Sequence, residues 1–168
     1  MKWKELIDLA REMATTPPSD HLHQTKLRLA VGTVYYAVYH SLARSNADLL
    51  IRPSETEGET PEWNRVHMAL GGDSAHELMP ADFSRHPEAI RRFVDVFLAA
   101  HHQRVLAEED PATTFTANQA RDCIDRAEVA ISEFLTIEPE QRRAFAVHLL
   151  LYRPSEGMTG TGEAAVRP

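Results

Sequence analysis

The 168 residues carry 18 basic and 25 acidic side chains, for a formal charge of −7, with 43% hydrophobic residues and a single cysteine. A chain of this size buries one core and is too short for two ordinary ones; one cysteine excludes an internal disulfide and fits a reducing cytoplasm. The acidic balance argues against broad binding to duplex nucleic acid, which depends on many Lys and Arg contacts to phosphate. No apolar run approaches the roughly 20 residues needed to cross a bilayer, so a cytoplasmic protein with no membrane contact is expected.

Trp3, Leu6, Ile7, Ala10 and Ala14 recur at helical spacing and predict a first helix over 2–14, stopped by Thr15-Thr16-Pro17-Pro18-Ser19. A long helix is predicted from Asp20 to Ile51, with Ser19 or Asp20 as its N-cap. It is apolar on two faces. Leu27, Val31, Val34, Tyr35, Val38, Leu42 and Leu49 form one stripe, which reads as bundle core. Leu29, Tyr36, His40, Ala43, Ala47 and Leu50 form a second, roughly opposite, able to meet another helix of the fold or a second chain. A homodimer through Leu29, Tyr36, His40, Ala43 and Ala47 is the expectation. Gly32, inside this helix, costs about 1 kcal/mol against alanine and predicts a close helix contact.

Residues 52 to 60 have loop composition. Thr60-Pro61-Glu62-Trp63 supplies an N-cap, a proline at the first helical position and a first-turn acid, predicting a short helix from Pro61 to about Leu70 before Gly71-Gly72. Residues 73 to 86 are ambiguous. A further helix is predicted from near Pro87 to Glu109 with Ile90, Phe93, Val94, Phe97, Leu98 and Val105 inward. Thr116 and Gln119 form a capping box opening a helix to Thr136, whose inward residues include Ala120, Cys123, Ile124, Ala127, Ile131 and Phe134. Cys123 reads as a buried structural thiol. A last helix from Pro139, bearing Phe145, His148, Leu149 and Tyr152, ends at Pro154. The fold class is therefore all-α, an antiparallel bundle of about five or six helices round one long central helix, as one domain over 1–153 with a disordered tail over 154–168.

Arg28-x6-Tyr35-Tyr36-Ala37-x2-His40 on the long helix, with His101-His102-Gln103-Arg104 before Glu108-Glu109-Asp110-Pro111 on a later one, resembles HEPN (higher-eukaryote and prokaryote nucleotide-binding) domains. The resemblance covers about residues 20 to 136. It implies an antiparallel bundle, commonly dimeric, in a family of metal-independent ribonucleases, toxin–antitoxin components and inactive binding relatives. Active HEPN nucleases carry an Arg separated from a His by four to six intervening residues, and no such pair lies in the resembling region. Only His148, reached from Arg142 or Arg143, has that spacing.

The helix after Pro87 continues its apolar face with His101, Arg104 and Glu108. Two readings stand: Arg104 paired with Glu108 or another carboxylate and His101 bonded in the core, or Arg104, His101 and His40 lining a cleft for an RNA phosphate. Metal-independent RNA cleavage needs a base, an acid and a cation against the phosphorane, roles open to His40, His101 and Arg104. Arg85, His86, Arg91, Arg92, His101, His102 and Arg104 mark the expected phosphate surface. Tyr35, Tyr36 and Tyr39 suit base stacking or anchoring, with Tyr35 assigned to the core and Tyr36 to an interface.

Nine histidines invite a metal reading, but there is no His-x3-His, adjacent His101 and His102 diverge by about 100°, and Asp20/His23 and Asp73/His76 fall in caps or loops. No metal and no cofactor are expected, and no phosphate-cradling glycine loop is present. Two functions follow from the resemblance. One is a noncatalytic RNA-, nucleotide- or protein-binding subunit of a toxin–antitoxin or defence-type module, with a nucleotidyltransferase-like protein as its partner. The alternative is a metal-independent, toxin-like endoribonuclease using the His and Arg residues above.

Overall fold

The computed structural model describes residues 2–51, 60–71, 77 and 83–151. Among them the chain forms six helices and no strand: α1 (Trp3–Ala14), α2 (His23–Leu50), α3 (Pro61–Met68), α4 (Glu88–Glu109), α5 (Ala117–Thr136) and α6 (Pro139–Leu151). α2 is the axis. It packs against each of the other five helices, while α1 and α4 also pack on α5. The architecture is the all-α bundle round a long central helix that the apolar periods predict. No helix among the described residues is long and apolar enough to cross a membrane.

The first stripe of α2 is the core, with Leu27, Val31, Val34, Tyr35, Val38 and Leu42 buried. α4 contributes Ile90, Phe93, Val94 and Phe97, α5 contributes Ile124, Ile131 and Phe134, and α6 contributes Phe145 and Leu149. Phe93 and Phe134 stack with centroids 4.3 Å apart, a geometry worth about 0.5–1.5 kcal/mol beyond burial. Arg11 ties α1 to α5 through Asp125 at 3.0 Å and Glu128 at 2.8 Å.

The second stripe divides. Ala43 and Ala47 are fully buried within the chain's own bundle, His40 and Leu50 are half-buried, and only Leu29 and Tyr36 lie open, at 56% and 39% exposure. The expected face is corrected accordingly: Ala43 belongs to the main core, Ala47 is fully buried, and α3 lays His67 and Trp63 against His40 and Arg44 of α2, so Ala43 and Ala47 are not available to a second chain.

Several boundaries move for local reasons. α2 begins at His23, because the Asp20 carboxylate takes the Leu22 N–H at 2.8 Å in an Asx turn and Lys26 at 2.8 Å, closing the chain before the helix opens. α3 stops at Met68, and the turn beyond it ends on Gly71 at φ +69°, a left-handed conformation suited to glycine. Leu98, expected inward, is 39% exposed: it lies about 100° round α4 from Phe97 and falls off the buried stripe. Cys123 is half-buried, and burial raises its thiol pKa. The capping box of α5 is present as expected, Thr116 Oγ1 accepting from Gln119 N at 3.2 Å and Gln119 Oε1 from Thr116 N at 2.8 Å. Residues 52–59 of the expected loop, most of 73–86, Tyr152, Pro154 and the 154–168 tail lie outside the described residues.

Gly32 has one near neighbour. A Cβ built there would lie 3.4 Å from Glu108 Oε1, the end of a flexible side chain. The close approach is made by a carboxylate of α4 and not by a backbone.

Candidate functional site

Three expected site residues resolve into two places. On α4, Phe97, His101 and Arg104 follow at i, i+4 and i+7 and meet the ring of Tyr35, which is 1% exposed at the middle of α2. Phe97 and His101 both stand edge-on to it at 5.5 Å, and the Arg104 guanidinium lies 4.9 Å over its face. Arg104 Nη1 also donates to Glu108 Oε2 at 3.3 Å. A buried guanidinium is tolerated here because an aromatic face and a carboxylate one turn on both offset its lost hydration.

His40 faces elsewhere. Five residues after Tyr35, it lies roughly 140° round α2 from that ring. Its ring stacks on His67 of α3 at 5.7 Å, and His67 stacks on Trp63 at 5.0 Å. Trp63 Nε1 donates to Asp48 at 2.8 Å, while Arg44 lies over the Trp63 ring at 5.8 Å and 3.5 Å from Asp48. Burial first, then the neighbouring His67, lowers the His40 pKa. Its Nδ1 is buried without a hydrogen-bond partner among the described residues.

Of the expected phosphate surface, Arg85, Arg91, Arg92 and His102 lie exposed, while others are engaged or covered. Arg104 is buried, Arg92 reaches Glu133 at 3.4 Å, and His86 Nε2 shares a 2.8 Å hydrogen bond with His148 Nδ1 beside Phe145. The spaced Arg/His pair on α6 separates too. Arg143 donates to the Leu49 carbonyl at 3.2 Å, capping the end of α2, and Arg142 points to Ile137 O and Ser45 Oγ, both at 3.0 Å.

The cations gather instead at a cleft of about 500 Å³ between the start of α1, the second half of α2 and the start of α6. Lys2, Lys4, Arg44 and Arg142 line it with one carboxylate, Asp48, and His40 is part of the same wall. Arg142 is half-buried, and burial lowers its pKa, although a guanidinium so shifted remains a cation at neutral pH. Lys4 lies 5.5 Å over the Trp3 ring at the rim. Sequence reasoning missed this group because its members come from three separate helices; the one local signal is the pair of lysines flanking Trp3.

No group of three or more His, Cys, Asp or Glu side chains that could hold a metal ion occurs among the described residues. No family model, curated protein or solved structure matches the chain.

Proposed function

We propose that the chain is a noncatalytic, HEPN-like helical subunit that binds RNA, a nucleotide or a partner protein within a toxin–antitoxin or defence-type module. The observation that supports this over the metal-independent ribonuclease is the engagement of Arg104, stacked on Tyr35 and paired with Glu108 in a 7%-exposed setting. A group meant to stabilise a phosphorane needs an unobstructed approach to it, and His40 lies on a different side of α2 from His101 and Arg104. In this reading the long helix is also a dimer element, through the Leu29 and Tyr36 part of its second face, and a nucleotidyltransferase-like protein remains the partner of choice.

The test is an RNA incubation without metal, followed by denaturing electrophoresis. Intact RNA is expected with wild-type protein. Cleavage that disappears in Arg104→Ala or His101→Ala while the melting temperature holds would establish the ribonuclease instead.

A further inference from the structure

We infer that the cleft between α1, α2 and α6 is a binding site for the phosphate group of a mononucleotide-sized ligand, anchored by Arg142. This rests on the reading of the chain as a binding subunit and gives that reading a place and a ligand class.

The charge distribution is the first ground. In a chain of net charge −7, Lys2, Lys4, Arg44 and Arg142 converge on one concavity whose single carboxylate among the described residues, Asp48, is itself engaged by Trp63 and Arg44, with Lys2 4.0 Å from Glu5 outside the lining. Low-dielectric walls focus such a field and raise its hold on an anion. The second ground is the chemistry of Arg142. Its two hydrogen bonds go to neutral acceptors, the Ile137 carbonyl and the Ser45 hydroxyl. A half-buried guanidinium has lost hydration and here gains no hydrogen-bonded carboxylate in return. Of its five N–H donors two are committed, Nε and one on Nη1, which leaves the fork able to take a phosphate oxygen. Ser45 accepts from Arg142 and keeps its own O–H to donate onward, so the pair can present adjacent donors.

His40 is the third ground. It lines the same cleft and carries a buried Nδ1 with no hydrogen-bond partner among the described residues. With its ring turned to bring that nitrogen into the cleft, an N–H there would find its acceptor in a phosphate oxygen.

The volume sets the ligand's scale. About 500 Å³ lies within the range of small-ligand sites and is too small for a duplex. Trp3 at the rim offers an aromatic surface to whatever the phosphate carries.

Isothermal titration of the full chain with inorganic phosphate, AMP and uncharged adenosine decides the matter. AMP and phosphate should both bind, adenosine should not, and AMP binding tighter than phosphate identifies a nucleotide over the free ion. Arg142→Gln should weaken AMP about tenfold or more. Because Arg142 also braces α2 against α6, Lys4→Gln at the exposed rim provides a second variant, expected to weaken AMP severalfold with an unchanged melt. Arg91→Gln, exposed on α4, should leave affinity unchanged. No heat with either phosphate or AMP at millimolar concentration, adenosine binding as well as AMP, or full affinity in both Arg142→Gln and Lys4→Gln would each overturn the site. RNA binding that survives Arg142→Gln while AMP does not bind overturns the cleft but leaves the binding-subunit reading intact. RNA cleavage by a protein that also binds AMP through Arg142 does the reverse.

Discussion

The two halves of α2 bury charge in opposite ways. In the first half the cation comes from α4: Arg104 is covered, stacked on Tyr35 and matched by Glu108, while the neighbouring flank at Leu29 and Tyr36 lies open. In the second half the helix is wrapped, with Ala43 and Ala47 fully buried, and four cations stand round a cleft where Arg44 pairs with Asp48 and Lys2 with Glu5, while the half-buried Arg142 hydrogen-bonds only neutral acceptors. The contrast teaches that a charged residue interrupting an apolar stripe signals a completed structural contact more readily than a site. Sites are better sought where cations from several elements outnumber the carboxylates beside them, as round Asp48.

The sharpest way to break this comparison is at Ala43. A carboxylate forced into that fully buried position in Ala43→Glu should cost at least about 4 kcal/mol and leave little folded protein, measured by circular dichroism and soluble yield. A folded, monomeric Ala43→Glu would restore that position to a dimer interface. Tyr36→Glu, on the open flank, should keep the wild-type melt and abolish any dimer seen by light scattering.

Next in size is Arg104→Ala. Losing the Tyr35 stack and the Glu108 pair should cost about 2 kcal/mol, discounted because Glu108 is itself 43% exposed and can be rehydrated. For a chain of this length that is a melting shift of about 4–8 °C, with AMP affinity unaffected. An unchanged melt would remove the structural assignment of Arg104.

Acid should weaken the fold. His40 and His86 both have lowered pKa values, through burial and through His67 and His148 respectively. Below the ordinary histidine value of about 6.5 the unfolded chain takes up protons that the folded one resists, so stability is complete above that pH and declines beneath it. Denaturant midpoints at pH 7.5 and 5.5 should differ in that direction, and the difference should shrink in His40→Gln. A midpoint that rises on acidification would contradict the burial of both rings.

The smallest effect is expected at Gly32. With only the mobile end of Glu108 nearby, Gly32→Ala should stabilise by about 0.5 kcal/mol through reduced unfolded-state freedom. A destabilised variant would show that Glu108 cannot yield its position beside Arg104.

Elements were legible where periodicity and capping chemistry are local. The α5 capping box, the Thr60 cap with Pro61, and the Phe93/Phe97 stripe each declare themselves within a few residues. The two-sided character of α2 was legible as well, but not what covers each part, since that depends on α3 returning across Arg44 and Asp48 through Trp63. Asp20 misled because it satisfies a turn N–H instead of a helical one. The cleft was illegible for a plainer reason: Lys2, Arg44 and Arg142 are each unremarkable on their own helices, and only tertiary packing makes them neighbours. His40, which the sequence groups with His101 and Arg104, lines a cavity with Arg142 instead.

The connection from α4 to α5 is fastened by α2. Arg28 donates to the Thr113 carbonyl at 2.7 Å and the Asp110 carbonyl at 2.9 Å, and Gln24 exchanges two hydrogen bonds with the Phe115 backbone at 2.7 and 3.1 Å. A seven-residue link between helices usually frays first, and its amides exchange with solvent freely. Here the Phe115 amide is spoken for by a side chain of the central helix, so its deuterium uptake should lag and track that of α2. The link is then held as a strut between α4 and α5, tied at both ends to α2. With α1 tied in turn to α5 by Arg11, the walls of the cleft at α1 and α2 rest on the same braced group of helices.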